Sequence, residues 1–158
     1  MTAQEKKDSA RINILQFKES ETKNIIDYKV TVIPKGNDSN AHIVDRTSNK
    51  INLANGKYLV FIETLPLTKF SIKVENGTVY ELLIAYPGTV NFTSSEEGTI
   101  DIYYIRDNNS KDKILSNISL GEGEQKEIEL QEGLYQIVRK NKILNFKVKS
   151  NEKVSIEL

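Results

Sequence analysis

The sequence predicts an all-β protein: two tandem antiparallel Greek-key β-sandwiches of about seven strands each. Three observations carry this expectation. Short alternations of apolar and polar residues recur through the 158 residues, broken by turn-forming residues. No segment sustains the apolar stripe, every third or fourth residue, that a packed helix needs. And one phrase is written twice. "INLANGKYLVFIE" (Ile51–Glu63) and "IELQEGLYQIVRK" (Ile128–Lys140) share Ile-x-Leu-x-x-Gly-x-Tyr followed by an apolar run.

The strands follow in order. "RINILQF" alternates Ile12 and Ile14 with polar neighbours, and "DYKVTVI" does the same with Tyr28, Val30 and Val32. "AHIVD" is a shorter run. "KYLVFIETL" and "KFSIKV" are rich in β-branched and aromatic residues, which suit a pleated, half-buried surface. "TVYELLI" follows Asn76-Gly77, a pair that tolerates positive φ and predicts a hairpin turn. Pro87-Gly88 then punctuates the chain. After it come "TVNFT", "GTIDIYYI", "KILSNISL", "KEIEL", "LYQIVRK", "ILNFKVK" and "EKVSIEL". The N-terminal "MTAQEKKDSA" carries helix formers but no apolar stripe. It is expected to be a flexible tail, and its polar character suits a mature secreted N-terminus with an added start Met.

The repeated phrase sets the organisation. Gly56 and Gly133 are 77 residues apart, and Ile51, Leu53 and Tyr58 match Ile128, Leu130 and Tyr135 at the same spacing. Ile12 and Ile14 align with Val90 and Phe92. Tyr28, Val30 and Val32 align with Ile100, Ile102 and Tyr104, and Ile72 and Val74 with Phe146 and Val148. The expected division is a tail over 1–10, one sandwich over 11–86 and a second over 87–158. Within each phrase the Gly is expected to supply a positive φ for a tight turn. The Tyr is expected to point inward and keep a hydroxyl partner near the sandwich edge.

Composition narrows the function classes. Lys+Arg and Asp+Glu are 22 each, with twelve basic and ten acidic residues up to Tyr86 and ten and twelve after it. Neither half has the basic field of a nucleic-acid binder. There is no cysteine, so disulfides, thiolate metal sites and cysteine nucleophiles are excluded. No stretch has the apolar length of a membrane-spanning helix.

Leu53–Tyr58 with Val74–Leu82, Leu130–Tyr135 with Val148–Leu158, and "PGTVNFTS" at Pro87–Ser94 resemble the strands of transthyretin-like (prealbumin-like) sandwiches. The same segments are similar to carboxypeptidase regulatory-like domains and to small β-domains of bacterial surface proteins. The resemblance spans the chain from Arg11 onward. It implies a seven-stranded sandwich and an accessory role outside the cytoplasm, in the periplasm, at the bacterial cell surface or secreted. It implies no catalytic residues.

The chemistry-bearing residues agree with a non-catalytic role. His42 is the single histidine and has no converging partners in the sequence. Glu96-Glu97 sits in "SSEEGT", expected to be a hairpin turn, and adjacent strand residues face opposite sides. Asp107, Asn109 and Asp112 have some calcium-loop character but lack the central Gly and late bidentate Glu of an EF-hand. Glu122, Glu124, Glu127, Glu129 and Glu132 form an acidic segment. Arg139, Lys140, Lys142, Lys147 and Lys149 form a basic one, and cross-strand pairing between the two is expected. Tyr103, on the face opposite Ile102 and Tyr104, and Tyr86 are the aromatics available to a ligand. No cofactor is expected. The expected function is protein–protein association or spacing, with a protein partner and no nucleic acid. The alternative is a carbohydrate- or calcium-binding accessory module.

Overall fold

The computed structural model describes residues 9–18, 21–24, 28–36, 41–44, 50–75 and 78–158, and these contain strands, turns and loops but no helix. The chain divides into two compact units, Met1–Ile84 and Ala85–Leu158. The two are tandem β-sandwiches, each made of two sheets.

The first unit runs β1 (Ser9–Lys18), β2 (Glu21–Asn24), β3 (Val30–Pro34), β4 (His42–Ile43), β5 (Lys50–Asn52), β6 (Gly56–Ile62), β7 (Thr68–Val74) and β8 (Val79–Ala85). In one sheet β1 pairs with β2, β5 and β8. The other is ordered β4-β3-β6-β7. Strand alternation puts Val30, Val32, Tyr58, Val60, Ile62, Ile72 and Val74 on the inner face, where all are buried with Leu82 and Ile84. Burying each such side chain contributes about 1.5–3 kcal/mol.

The second unit runs β9 (Gly88–Thr93), β10 (Gly98–Asp107), β11 (Ser110–Leu120), β12 (Gln125–Leu130), β13 (Gly133–Arg139), β14 (Lys142–Val148) and β15 (Lys153–Glu157). Its sheets are β12-β9-β15 and β11-β10-β13-β14. One ladder departs from the antiparallel expectation: β15 runs parallel to β9, with Val154 opposite Val90. The core is aromatic. Tyr135 stacks on Phe146 at 5.5 Å between ring centroids, Phe146 meets Phe92 edge-on at 6.2 Å, and Tyr104 tilts against Tyr135 at 5.4 Å.

The units share one pairing scheme. Strands β9 to β15 pair as β1, β3, β4, β5, β6, β7 and β8 do, and β2 is the addition that the sequence did not signal. The ladders correct two of the alignments. Ala10 opposes Ile51 as Val90 opposes Ile128, so Ala10, not Ile12, corresponds to Val90. Pro34 opposes Tyr58 as Tyr104 opposes Tyr135, so Val32 corresponds to Ile102. Both slips are of two residues, which leaves every side chain on its own face. The Ile14 side chain lies outside the described set.

Other expectations change as well. Residues 1–8 of the expected tail lie outside the described residues, but Ser9 and Ala10 already belong to β1. Ala10 is buried, because β1 pairs there with β5. Asn76 and Gly77 also lie outside them. The flanking Thr78 amide donates to the Glu75 carbonyl at 3.1 Å, yet β7 and β8 belong to different sheets, so these two strands form no hairpin. The same holds for Ser94–Glu97, between β9 and β10.

Candidate functional site

The repeated phrase is a folding device. The Tyr58 hydroxyl donates to the Ala54 carbonyl at 2.7 Å, and the Tyr135 hydroxyl donates to the Gln131 carbonyl, each four residues back. This is a tyrosine corner, a device found where a sandwich strand re-enters the core. Tyr135 is fully buried, and burial, with a smaller contribution from Tyr104, pushes its phenol above the usual range. The glycines act differently from expectation. Neither Gly56 nor Gly133 has a left-handed φ, a conformation that among the described glycines belongs to Gly36 and Gly123. Gly133 is instead a close approach: a Cβ there would lie 2.6 Å from the Tyr104 ring, whereas one at Gly56 would meet nothing closer than 3.7 Å.

The residues singled out for ligands are dispersed and engaged. Tyr103 lies on the outer face of β10, with the Lys111 Nζ 4.5 Å and the Lys113 Nζ 5.4 Å from its ring centroid. Tyr86 is half-buried in the β8–β9 connection, and its carbonyl accepts from the Ser150 hydroxyl at 2.6 Å. Asp107 accepts from the Asn109 amide at 2.8 Å in the β10–β11 turn. That bond leads those holding its carboxyl below the usual range. Asp112 pairs with Arg106 at 2.7 Å. His42 is exposed on the edge strand β4. Among the described residues no three His, Cys, Asp or Glu side chains gather as a metal site.

One carboxylate shapes the backbone. Asp101 on β10 accepts from the Asn117 amide at 2.8 Å and pairs with the Lys113 Nζ at 3.0 Å. Asn117 is left-handed, φ 53°, where β11 slips register against β10. The Asn117 bond, then Lys113, holds the Asp101 carboxyl below its ordinary value.

The expected charge pairing does not form, because the two segments fall in different sheets: the acidic one around β12, the basic one along β13 and β14. What the basic segment does form is a cleft. Arg139 is 8% exposed, and its guanidinium donates to the Ser94 hydroxyl at 2.5 Å and the Glu96 carbonyl at 2.7 Å. Gly98 makes room, since a Cβ there would stand 3.0 Å from Nη2. Beside Arg139 opens a cavity of about 260 Å³, walled by Ile137, Leu144 and Leu158 and rimmed by Lys140 and Lys142. Sequence reasoning found these cations as a run. It missed that one is buried, because burial depends on the Ser94–Glu96 loop folding over it.

These features define a two-sandwich β protein in which Asp101, Asp107 and Arg139 hold backbone groups in place. No protein-family model and no curated protein matches the chain. Among solved structures it is similar to GBS52, the minor pilin of the Gram-positive pathogen Streptococcus agalactiae. That likeness has a TM-score of 0.51 at 8% identity and covers 95% of this chain and 94% of that one. Weaker likenesses are to the shaft pilin SpaA of Lactobacillus rhamnosus GG (TM-score 0.37, 10% identity, 95% and 96% covered) and a DUF3823 family protein of Bacteroides ovatus (0.33, 12%, 90% and 96%). At these identities the likeness concerns the fold.

Proposed function

We propose that this chain is a non-catalytic module pair of a bacterial extracytoplasmic protein, serving protein–protein association or holding other parts at a distance. The observation that carries this reading is the extent of the GBS52 likeness: both units, in series, over nearly the whole of each chain. The polar chemistry supports it. The carboxylates Asp101, Asp107 and Asp112 are each engaged by a backbone amide or a cation, which leaves them structural work. Antiserum against the chain tests the location. Intact cells should bind it and lose that binding on brief external proteolysis, with a cytoplasmic marker untouched. Signal that appears only after lysis overturns the reading.

A further inference from the structure

The two units provide an internal comparison. Ile62 and Arg139 are the last residues of β6 and β13, each paired with the first residue of the next strand, Thr68 or Lys142. Ile62 is fully buried, and Phe70, the partner of Val60, packs against the first unit's core. In the second unit an arginine stands at that place. The counterpart of Phe70 is Leu144, the partner of Ile137, and it is 42% exposed beside the cavity. Burying a guanidinium is costly unless it is well partnered. Two hydrogen bonds to neutral oxygens partner it, and among the described residues no carboxylate comes within 4.0 Å of Arg139, Lys140 or Lys142. The cavity lining sets those three cations against the one carboxyl side chain of Glu96.

The cavity adjoins a free sheet edge. Among the described residues β14 pairs only with β13. Its adjacent residues Ile143 and Leu144 are 64% and 42% exposed between the exposed Lys142 and Asn145, where the corresponding edge strand β7 has the exposed Lys69 and the half-buried Phe70. Charges along an edge discourage strand addition, and exposed apolar residues do not. A free edge offers backbone donors and acceptors in the spacing of another extended chain. At about 260 Å³ the cavity is smaller than the roughly 300 Å³ at which pockets begin to hold whole small molecules, and it suits a single side chain.

We propose that β14 accepts an extended acidic peptide segment of a partner protein as an added strand. One apolar side chain of that segment enters the cavity between Leu144 and Leu158, and its carboxylates face Arg139, Lys140 and Lys142. This names the contact surface of the association role proposed above and rests on it. The two fail separately, since peptide binding is read on purified protein and location on cells.

The probe is a fluorescein-labelled peptide of about eight residues alternating Glu and Leu, a strand-length segment. Its partner control replaces each Glu with Lys. The Glu peptide should raise anisotropy saturably and the Lys peptide should not. Affinity should fall as salt is raised from about 50 mM to about 500 mM. Lys142→Glu and Leu144→Asn, at exposed positions that leave the core intact, should each weaken binding by roughly tenfold or more. Arg139→Leu should do the same if it folds. Amide exchange along β14 should slow when the Glu peptide is added. Equal binding of the two peptides, unchanged affinity in both exposed-site variants, or protection away from β14 overturns the proposal. So does a concentration-dependent mass increase of the protein alone that Lys142→Glu abolishes, with no peptide binding. That result assigns the edge to a second copy of the chain.

Discussion

The hydroxyl of Tyr58 donates to the carbonyl of Ala54, 2.7 Å away, and Tyr135 makes the same bond to Gln131 in the second unit. Each bond ties the strand that enters the core to the loop that precedes it. Tyr58→Phe and Tyr135→Phe keep the ring and lose this bond, and each should destabilise its own unit by roughly 1 kcal/mol. Hydrogen-exchange mass spectrometry locates the effect: faster exchange in β3, β6 and β7 for the first variant and in β10, β13 and β14 for the second. Uniform acceleration across both units would show that the corners are not local anchors.

Tyr135 also predicts an alkaline limb. Its phenol is raised in the folded chain, so the folded state holds its proton more tightly than the unfolded state does. The associated stability is complete below the unfolded phenol value of about 10 and declines as pH rises above it. In urea titrations the gap between wild type and Tyr135→Phe should therefore narrow above pH about 10. A constant gap across that range would remove the linkage.

The glycines separate by what surrounds them. A Cβ at Gly88 would fall 2.4 Å from Val148 Cγ1 and 2.5 Å from the Lys149 carbonyl oxygen, and backbone cannot swing aside. One at Gly133 meets the Tyr104 ring, which can move at a cost of about 1–3 kcal/mol. One at Gly56 makes ordinary contact. Thermal melts should rank Gly88→Ala as most damaging, then Gly133→Ala. Gly56→Ala should be neutral or stabilising by up to about 1 kcal/mol, because it reduces unfolded-state entropy. Equal losses at Gly56 and Gly133 would show that the approach of the Tyr104 ring does not set the cost at Gly133.

Asp101 predicts an acid limb of opposite sign. Its carboxyl is lowered in the folded chain, so its contribution is present above the unfolded value of about 3.9 and is lost as pH falls below it. Asp101→Ala should melt earlier than wild type at neutral pH, and the difference should close in strong acid. The Asn117 amide should exchange faster in the variant. Unchanged Asn117 protection would detach the carboxylate from the β11 register shift.

Calcium supplies a further test at the β10–β11 turn. Asp107 accepts from the Asn109 amide and Asp112 pairs with Arg106, so an ion would have to share or displace a partner that each carboxylate already has. Isothermal titration with Ca²⁺ should give no saturable heat. A saturable signal removed by Asp107→Asn would reinstate the calcium reading.

Much of this molecule is determined locally. The alternation of Val30 and Val32, of Tyr58, Val60 and Ile62, and of Ile72 and Val74 fixed which residues face a core. Period two does so whatever the strand pairs with. The doubled Leu-x-x-Gly-x-Tyr located both corners, because that bond spans four residues. What needed the tertiary structure was everything set by pairing. A slip of two residues is invisible to a period-two pattern, so Ala10 rather than Ile12 proved to correspond to Val90. Asn-Gly and Ser-Ser-Glu-Glu announce turns without saying whether the next strand joins the same sheet. Local sequence does not contain the Tyr104 ring that closes on Gly133. Nor does the run Arg139-Lys140-Asn141-Lys142 distinguish a solvated hairpin from one whose first cation is buried under Ser94 and Glu96. That outcome follows from a loop more than forty residues earlier folding over β13, which only the assembled sandwich brings about.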